Sequence, residues 1–285
     1  MSVSPVCPIC LNPQYHILFH KNNIPIYRCE SCGVGKADLK GFDIESYYTT
    51  SYFNGEYSDG YADYINARDV LHAQFNNDIK LLKKHGKHQG HILELGCAYG
   101  YFLDKAKEAS FEISGIELCE DAVKSCNDRG YNSVYRGEIS KQNLKRFAAA
   151  DAVVLFDVIE HLPDPITVIE AIAEKLKPDG LLLMTTGDFS SLFAKITASN
   201  WRLMTPPQHL WFFTPSSLEL LCNRFGLELV SLDYPWKKVP LGLILFQMLR
   251  YVGARPKLPN WTHTVGFPVN LFDAMRLVFR KRTTA

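Results

Sequence analysis

The segment Ile92-Leu93-Glu94-Leu95-Gly96-Cys97-Ala98-Tyr99-Gly100 reads as a buried strand that runs into a glycine turn and opens a helix. A turn of this kind lets backbone amides approach a ligand closely and aims a helix N-terminus at negative charge. Glu117 closes the next apolar run, about 20 residues further on, where a carboxylate can accept hydrogen bonds from both hydroxyls of a ribose. A strand, a glycine turn, a helix and a second strand ending in an acid call for a parallel α/β sheet with an adenosine-type ligand at its edge. The bland alternative is an ordinary α/β turn followed by an incidental acid.

From His91 onward, short apolar runs alternate with helix-like segments, as a parallel α/β sheet requires. Strands are predicted at 91–95, 111–117, 132–135, 151–156, 180–186 and 227–232, with a final strand at 274–281. Helices are predicted at about 100–109, 120–129, 165–176 and 215–225. Thr214-Pro215 supplies an N-cap and a first-turn proline for the last of these. Lys177-Pro178-Asp179-Gly180 reads as a turn into Leu181-Leu182-Leu183-Met184.

Upstream, residues 1–40 are rich in Cys, Pro, Gly and Asn, and Cys7-x-x-Cys10 and Cys29-x-x-Cys32 stand 18 residues apart. Four thiolates in two such knuckles can converge tetrahedrally on zinc, and with no open position the site is structural. A ribbon this small cannot fold on hydrophobic burial alone, so the metal would supply its folding free energy. A redox dithiol pair or incidental spacing is the competing reading. Residues 41–90 form a cover segment with six tyrosines between Tyr47 and Tyr64, then a helical pattern on Leu71, Phe75, Ile79 and Leu82. Tyr52, Phe53 and Tyr61 are placed to pack and to close over a ligand. The domain plan is therefore a zinc ribbon at 1–40, a helical cover at 41–90 and a Rossmann-like domain at 91–285, with an insertion at about 235–270.

A dinucleotide fingerprint would read G-x-G-x-x-G, whereas the spacing here is G-x-A-x-G, with Leu103 where the third dinucleotide glycine would fall. At this point the chain resembles the class I S-adenosylmethionine-dependent methyltransferases, whose first motif has the form E/D-x-G-x-G-x-G. Ala98 departs from it by one methyl group. The resemblance continues through Asp151–Pro165 (DAVVLFDVIEHLPDP) and Leu176–Met184 (LKPDGLLLM), which are similar to the ubiquinone-biosynthesis-like, type 23 branch. It implies a Rossmann-like seven-stranded methyltransferase sheet whose last strand is antiparallel, here preceded by the zinc ribbon. It further implies that Gly96, Ala98 and Gly100 meet S-adenosylmethionine backbone-first, that Glu117 takes the ribose, that Leu118 also contacts the cofactor, and that Glu138 and Ile139 meet the adenine. Asp157 and Val158 would line the cofactor's far side, and Glu94 its aminocarboxylate end. A ribbon ahead of such a domain resembles, in layout, that of sugar C-methyltransferases.

The sulfonium of this cofactor already activates its methyl group, so the enzyme must align a nucleophile and exclude water. A hydroxyl or carbon acid also needs a base. His161 follows the fourth strand and His209 follows Pro206-Pro207-Gln208 in a long connection after the fifth. These two are the candidate bases, with Asp188 a third. For His161 the favoured reading is a residue that closes off the cofactor pocket and holds the loop.

With 31 basic and 30 acidic residues the chain carries no global field that would draw in a polyanion, so a small-molecule or saccharide acceptor is expected before nucleic acid. The N-terminus runs into Pro5, Cys7 and Pro8 without an apolar core, and the cysteine usage fits a reducing compartment, so a cytoplasmic enzyme is expected. The longest apolar stretch, Val239–Leu249, is far short of the roughly 20 residues of a spanning helix and is expected as a helix in the core, at a dimer contact or on a membrane surface. Three alternatives remain open: an RNA or protein methyltransferase with the ribbon as reader, a non-catalytic cofactor-binding module, and a nicotinamide enzyme. Oligomeric state is not written in the sequence.

Overall fold

A computed structural model describes residues 6–39, 68–242, 244–245, 249, 258–259 and 261–283. Strands β1 (Tyr15–Lys21), β2 (Ile24–Cys29) and β3 (Gly35–Ala37) make an antiparallel ribbon. Helix α1 (Arg68–Lys84) buries Phe75, Ile79 and Leu82, the residues whose spacing predicts it. The tyrosine run 47–64 lies outside the described residues.

A run of β4 (Gly90–Leu95), α2 (Tyr101–Glu108), β5 (Phe111–Glu117), α3 (Glu120–Asp128) and β6 (Val134–Arg136) follows. Next come α4 (Lys141–Leu144), β7 (Ala150–Phe156), α5 (Pro165–Lys175), β8 (Leu176–Gly187) and α6 (Leu192–Thr197). The chain ends with β9 (Trp211–Phe212), α7 (Pro215–Asn223), β10 (Leu227–Asp233), β11 (Lys237–Pro240), α8 (Trp261–Thr264), β12 (Gly266–Val269) and β13 (Ala274–Lys281). Seven strands form one sheet in the order β10-β13-β8-β7-β4-β5-β6. β4, β5, β6, β7 and β8 are parallel, and β13 runs antiparallel between β8 and β10. The parallel strands are those the alternating pattern predicts, and the seven-stranded Rossmann-like sheet with an antiparallel last strand is the methyltransferase arrangement that the resemblance implies. Helices cover both faces, so β4 and β7 read as continuous apolar runs, with Ile92, Leu93, Leu95 and Val153–Leu155 fully buried.

Local sequence sets the helix starts. The Asp164 carboxylate accepts the Thr167 N–H at 3.1 Å and Pro165 occupies the first turn of α5. Thr214 and Ser217 make a reciprocal capping box at α7. The predicted turn at 177–180 is drawn into β8, which starts at Leu176. Its turn chemistry survives as a bend, with Asp179 at φ +62°.

Two features depart from the sequence reading. The ribbon sheet gains a fourth strand from the C-terminal half, because β3 pairs with β9 through Gly35 opposite Phe212 and Lys36 opposite Trp211. A Cβ on Gly35 would stand 2.9 Å from the Phe189 ring, so only glycine permits this approach. In the insertion, the segment expected to begin a helix at Val239 ends strand β11, paired with β12. Beyond the strand the expected helix holds where it is described, at Leu241, Gly242, Ile244, Leu245 and Leu249; the other residues of 241–249 lie outside the described residues. Among the described residues no helix is long and apolar enough to cross a membrane.

Candidate active site

The C-terminal ends of β4, β5 and β7 open onto one cavity of about 390 Å³. Ten of the residues singled out from sequence line it: Glu94, Gly96, Ala98, Glu117, Leu118, Glu138, Ile139, Asp157, Val158 and His161. Gly100 does not. It caps α2 at φ +70°, and a Cβ there would stand 2.9 Å from Cys126 Sγ, so its role is to let the helix start close to α3. His209 lies behind His161 and is 8% exposed.

The glycine turn is built by its dihedrals. Gly96 has φ +74°, and a Cβ would reach within 2.7 Å of Val158 Cγ2. Ala98, where the pattern asks for glycine, adopts φ +44° in spite of its methyl group. Its N–H donates to Glu117 Oε2 at 2.8 Å, while Leu118 and Cys119 N–H donate to Oε1 at 2.8 and 2.9 Å. Three backbone donors thus hold the carboxylate at the cavity wall and favour its charge, although burial moves its pKa up overall. Oε2 keeps a lone pair for an incoming hydroxyl.

Glu94 is 4% exposed and its Oε2 has no hydrogen-bond partner. Burial, reinforced by nearby Cys126, Glu117 and Asp104, pushes this carboxyl well above the usual range. An orphaned acid oxygen facing a cavity asks for a cationic or donor ligand. An ammonium group on a ligand's amino-acid end meets that demand, so the site fits S-adenosylmethionine.

At the end of β7, Asp157 takes φ +54°, and its Oδ1 accepts the Thr185 hydroxyl at 2.8 Å. His161 Nδ1 lies 3.0 Å from the Gln208 carbonyl, and His209 Nδ1 lies 2.7 Å from the Leu203 carbonyl. The two rings meet edge-on, 4.6 Å between centroids. Burial, then the neighbouring His161, hold His209 down to about 3, so its imidazole is neutral in the physiological range. Asp188 is committed elsewhere, accepting from Ser190 N–H (2.8 Å) and the Tyr234 hydroxyl (2.7 Å). Among the residues singled out for chemistry, His161 is the imidazole at the cavity wall.

Sequence reasoning passed over Leu71, Gln74 and Phe75 of α1, which form the opposite wall. Their helical spacing was visible, but it reads the same for a core helix as for one that roofs a cavity. Pro163, Asp164, Thr167 and Val168, on the way into α5, complete the lining.

The four ribbon cysteines come together. Cys7 and Cys32 sulfurs are 3.7 Å apart, and those of Cys10 and Cys29 are 3.4 Å apart, with no disulfide among them. Sulfurs about 2.3 Å from a tetrahedral centre are about 3.8 Å from each other, so the cluster fits zinc. The ribbon also supports the His209 loop: Asn22 Nδ2 donates to the Pro206 carbonyl at 2.9 Å, and Ala37 N–H donates to that of Leu210 at 2.9 Å.

The description "Methyltransferase domain" matches residues 74–232. A ubiquinone biosynthesis O-methyltransferase of Azoarcus sp. (strain BH72) is 28% identical over 153 residues, covering 50% of this chain and 66% of that protein. Its counterpart in Bordetella avium (strain 197N) is 30% identical over 148 residues, 48% of this chain and 61% of that one. The chain thus matches slightly less than two thirds of these relatives' length. Among solved structures, magnesium protoporphyrin IX methyltransferase of Synechocystis PCC 6803 with bound SAH has a TM-score of 0.53 at 12% identity, covering 84% of this chain and 98% of that one. A SAM-dependent methyltransferase of Archaeoglobus fulgidus has a TM-score of 0.52 at 19% identity, covering 75% and 94%. At these identities the likeness is one of fold. The family match reaches from the cavity wall on α1 through the glycine turn and Glu117 to β10, and the chain belongs to the methyltransferase-domain family.

Proposed function

We propose that this chain transfers the methyl group of S-adenosylmethionine to a hydroxyl oxygen of a small-molecule or saccharide acceptor. The observation that carries the reading is the pair of acids on one cavity: Glu117, fixed by three backbone N–H groups, and Glu94, with an orphaned oxygen. Glu117 would accept from the ribose, Glu94 would meet the ammonium end, and the amides of the Gly96–Ala98 turn would approach the ligand between them. Leu118, Glu138 and Ile139 would enclose the adenine, with Asp157 and Val158 on the far side. The word O-methyltransferase in the relatives' names supports oxygen as the methylated atom.

In the reaction, the acceptor oxygen attacks the methyl carbon as the carbon–sulfur bond breaks, leaving a neutral thioether. The hydroxyl proton must leave, and His161 at the wall is the imidazole placed to receive it. His209, buried and neutral, holds position behind it. Water exclusion falls to α1, whose Leu71 and Phe75 present apolar surface to the cavity.

The domain plan accompanying this reading is a zinc ribbon at 1–40, in which Cys7, Cys10, Cys29 and Cys32 hold a structural zinc, then a cover at 41–90 and a methyltransferase domain at 91–285. Labelled-methyl transfer to fractionated acceptors (phenols, quinone precursors, nucleotide sugars, RNA, protein) tests the function. Label in a small-molecule fraction is expected, and label in RNA or protein alone would overturn the acceptor class. Calorimetry showing no binding of S-adenosylmethionine or its demethylated product would overturn the activity itself.

A further inference from the structure

We propose that Asp104 is a positioning residue of the cofactor site, a buried carboxylate that ties the glycine turn and helix α1 to one point so that both close on the ligand together. Asp104 stands in the first turn of α2 and is 7% exposed. Its oxygens accept from side chains of two other segments. After α3 these are Arg129 Nη1 (2.6 and 2.9 Å) and the Tyr131 hydroxyl (2.6 Å). On α1 they are His72 Nε2 (3.1 Å) and Arg68 Nη2 (3.3 Å).

One arm reaches the turn. Arg129 Nη2 donates to the Tyr99 carbonyl, and the N–H of the same peptide, at Gly100, donates to the Cys97 carbonyl at 2.7 Å. The Tyr99–Gly100 peptide is therefore held at both ends, directly after Gly96 and Ala98, which line the cavity. A guanidinium is a rigid planar fork, so where Asp104 holds Nη1 the place of Nη2 is set as well. Lysine, a point charge on a flexible stem, could not make both contacts at once.

The other arm reaches α1. Arg68 and His72 lie one turn apart, and Leu71, Gln74 and Phe75 of the same helix wall the cavity. His72 also meets the Tyr101 ring edge-on, 5.5 Å between centroids. A carboxylate only accepts, so His72 Nε2 carries the proton. Burial, then Lys105, hold the ring below its usual pKa against the pull of Asp104, so it binds as a neutral donor. The Arg68 side chain is half exposed and its pair with Asp104 is screened, which makes His72 the firmer grip. A turn that meets the ligand and a wall that covers it thus share one anchor, and ordering either lowers the entropic cost of ordering the other. This consequence rests on the methyl-transfer reading, since it takes S-adenosylmethionine as the ligand of the cavity.

The test is calorimetry with the demethylated cofactor on the full chain, with amide hydrogen exchange followed on the same samples. In wild type the ligand is expected to slow exchange in the turn and in α1 alike. Asp104→Asn should weaken binding at least about tenfold and, with ligand at saturation, abolish the slowing in α1. Asp104 also acts on Glu94 through its charge, so Arg129→Lys and His72→Phe, which keep that charge, separate positioning from field. The first should lose affinity, the second the slowing in α1, and these two carry the test if Asp104→Asn does not fold. Tyr131→Phe removes an equally short hydrogen bond from the same carboxylate, and should melt earlier yet bind like wild type. Folded variants that bind like wild type, or lose no more affinity than Tyr131→Phe, overturn the proposal and leave the cofactor site standing. Slowing in α1 that survives His72→Phe overturns it equally. Wild type that binds no demethylated cofactor overturns the reading of the cavity, and this proposal with it.

Discussion

The Thr214 hydroxyl donates to the Cys32 carbonyl at 2.8 Å and accepts the Ser217 N–H at 3.1 Å. One oxygen thus caps α7 and grips the second cysteine knuckle. Arg224, just past the same helix, reaches the first knuckle through the Ile9 carbonyl at 3.1 Å. Thr214→Val should cost about 1–2 kcal/mol, a lost cap being the dominant part, read as a drop in unfolding midpoint. Stripping the ribbon metal with a chelator should lower that midpoint further and also lower cofactor-site activity, because Asn22 and Ala37 hold the loop of His209. A chelated chain with unchanged melting would contradict the coupling.

Glu94 supplies a pH test. Its folded-state pKa is raised by burial, so the folded chain keeps a proton that the unfolded chain has released. That contribution to stability is complete below the unfolded value of about 4.3 and is lost as pH rises towards and through the folded one. Ligand-free stability should therefore fall with rising pH across this window, and Glu94→Gln should flatten the slope. The same substitution should weaken S-adenosylmethionine binding at least about tenfold, the scale of a lost charge-assisted contact. Equal slopes in parent and variant would refute the assignment.

Gly96→Ala should be damaging. A left-handed backbone costs a non-glycine residue about 1–2 kcal/mol, and the new methyl would meet Val158 at 2.7 Å. Ala98→Gly is the informative partner, since Ala98 already carries φ +44°. Relief of that strain and the greater freedom of glycine in the unfolded chain nearly cancel, at about 1 kcal/mol each. Stability should barely move and cofactor affinity should be kept or improved, as measured by melting and calorimetry.

Arg276 on β13 binds Asp78 of α1 at 2.7 Å and Asp233 of β10 at 2.6 and 2.9 Å. Asp78 is 2% exposed, so Arg276→Ala removes a cation from a buried carboxylate and should cost about 3 kcal/mol in denaturant unfolding. Because α1 forms a wall of the cavity, KM for the cofactor should rise in any folded fraction.

The β4–β5 unit was legible because burial on both faces writes itself as Ile92–Leu95 and Ile113–Ile116, and because the turn between needs glycine at one or two stated points. The cysteine knuckles were legible from spacing. The pairing of β3 with β9 was not, since strands of three and two residues carry too little pattern to name a partner far along the chain. The meeting of His161 with His209 belongs to the same class: each histidine was visible, while their approach depends on the Leu210–Glu160 main-chain bond. Asp188 was weighed as a base from its place after β8, but Tyr234, on a distant segment, takes its second oxygen.

Strand β9 is shared property. It completes the ribbon's sheet on one side, and on the other its residues run directly out of the His209 loop. A homologue's ribbon grafted at residue 40 would arrive without its own edge partner, and would dock only if residues 205–214 travelled with it. Recombination between relatives would thus have to move two stretches of gene at once, which makes the ribbon an inherited companion of this loop rather than an exchangeable module.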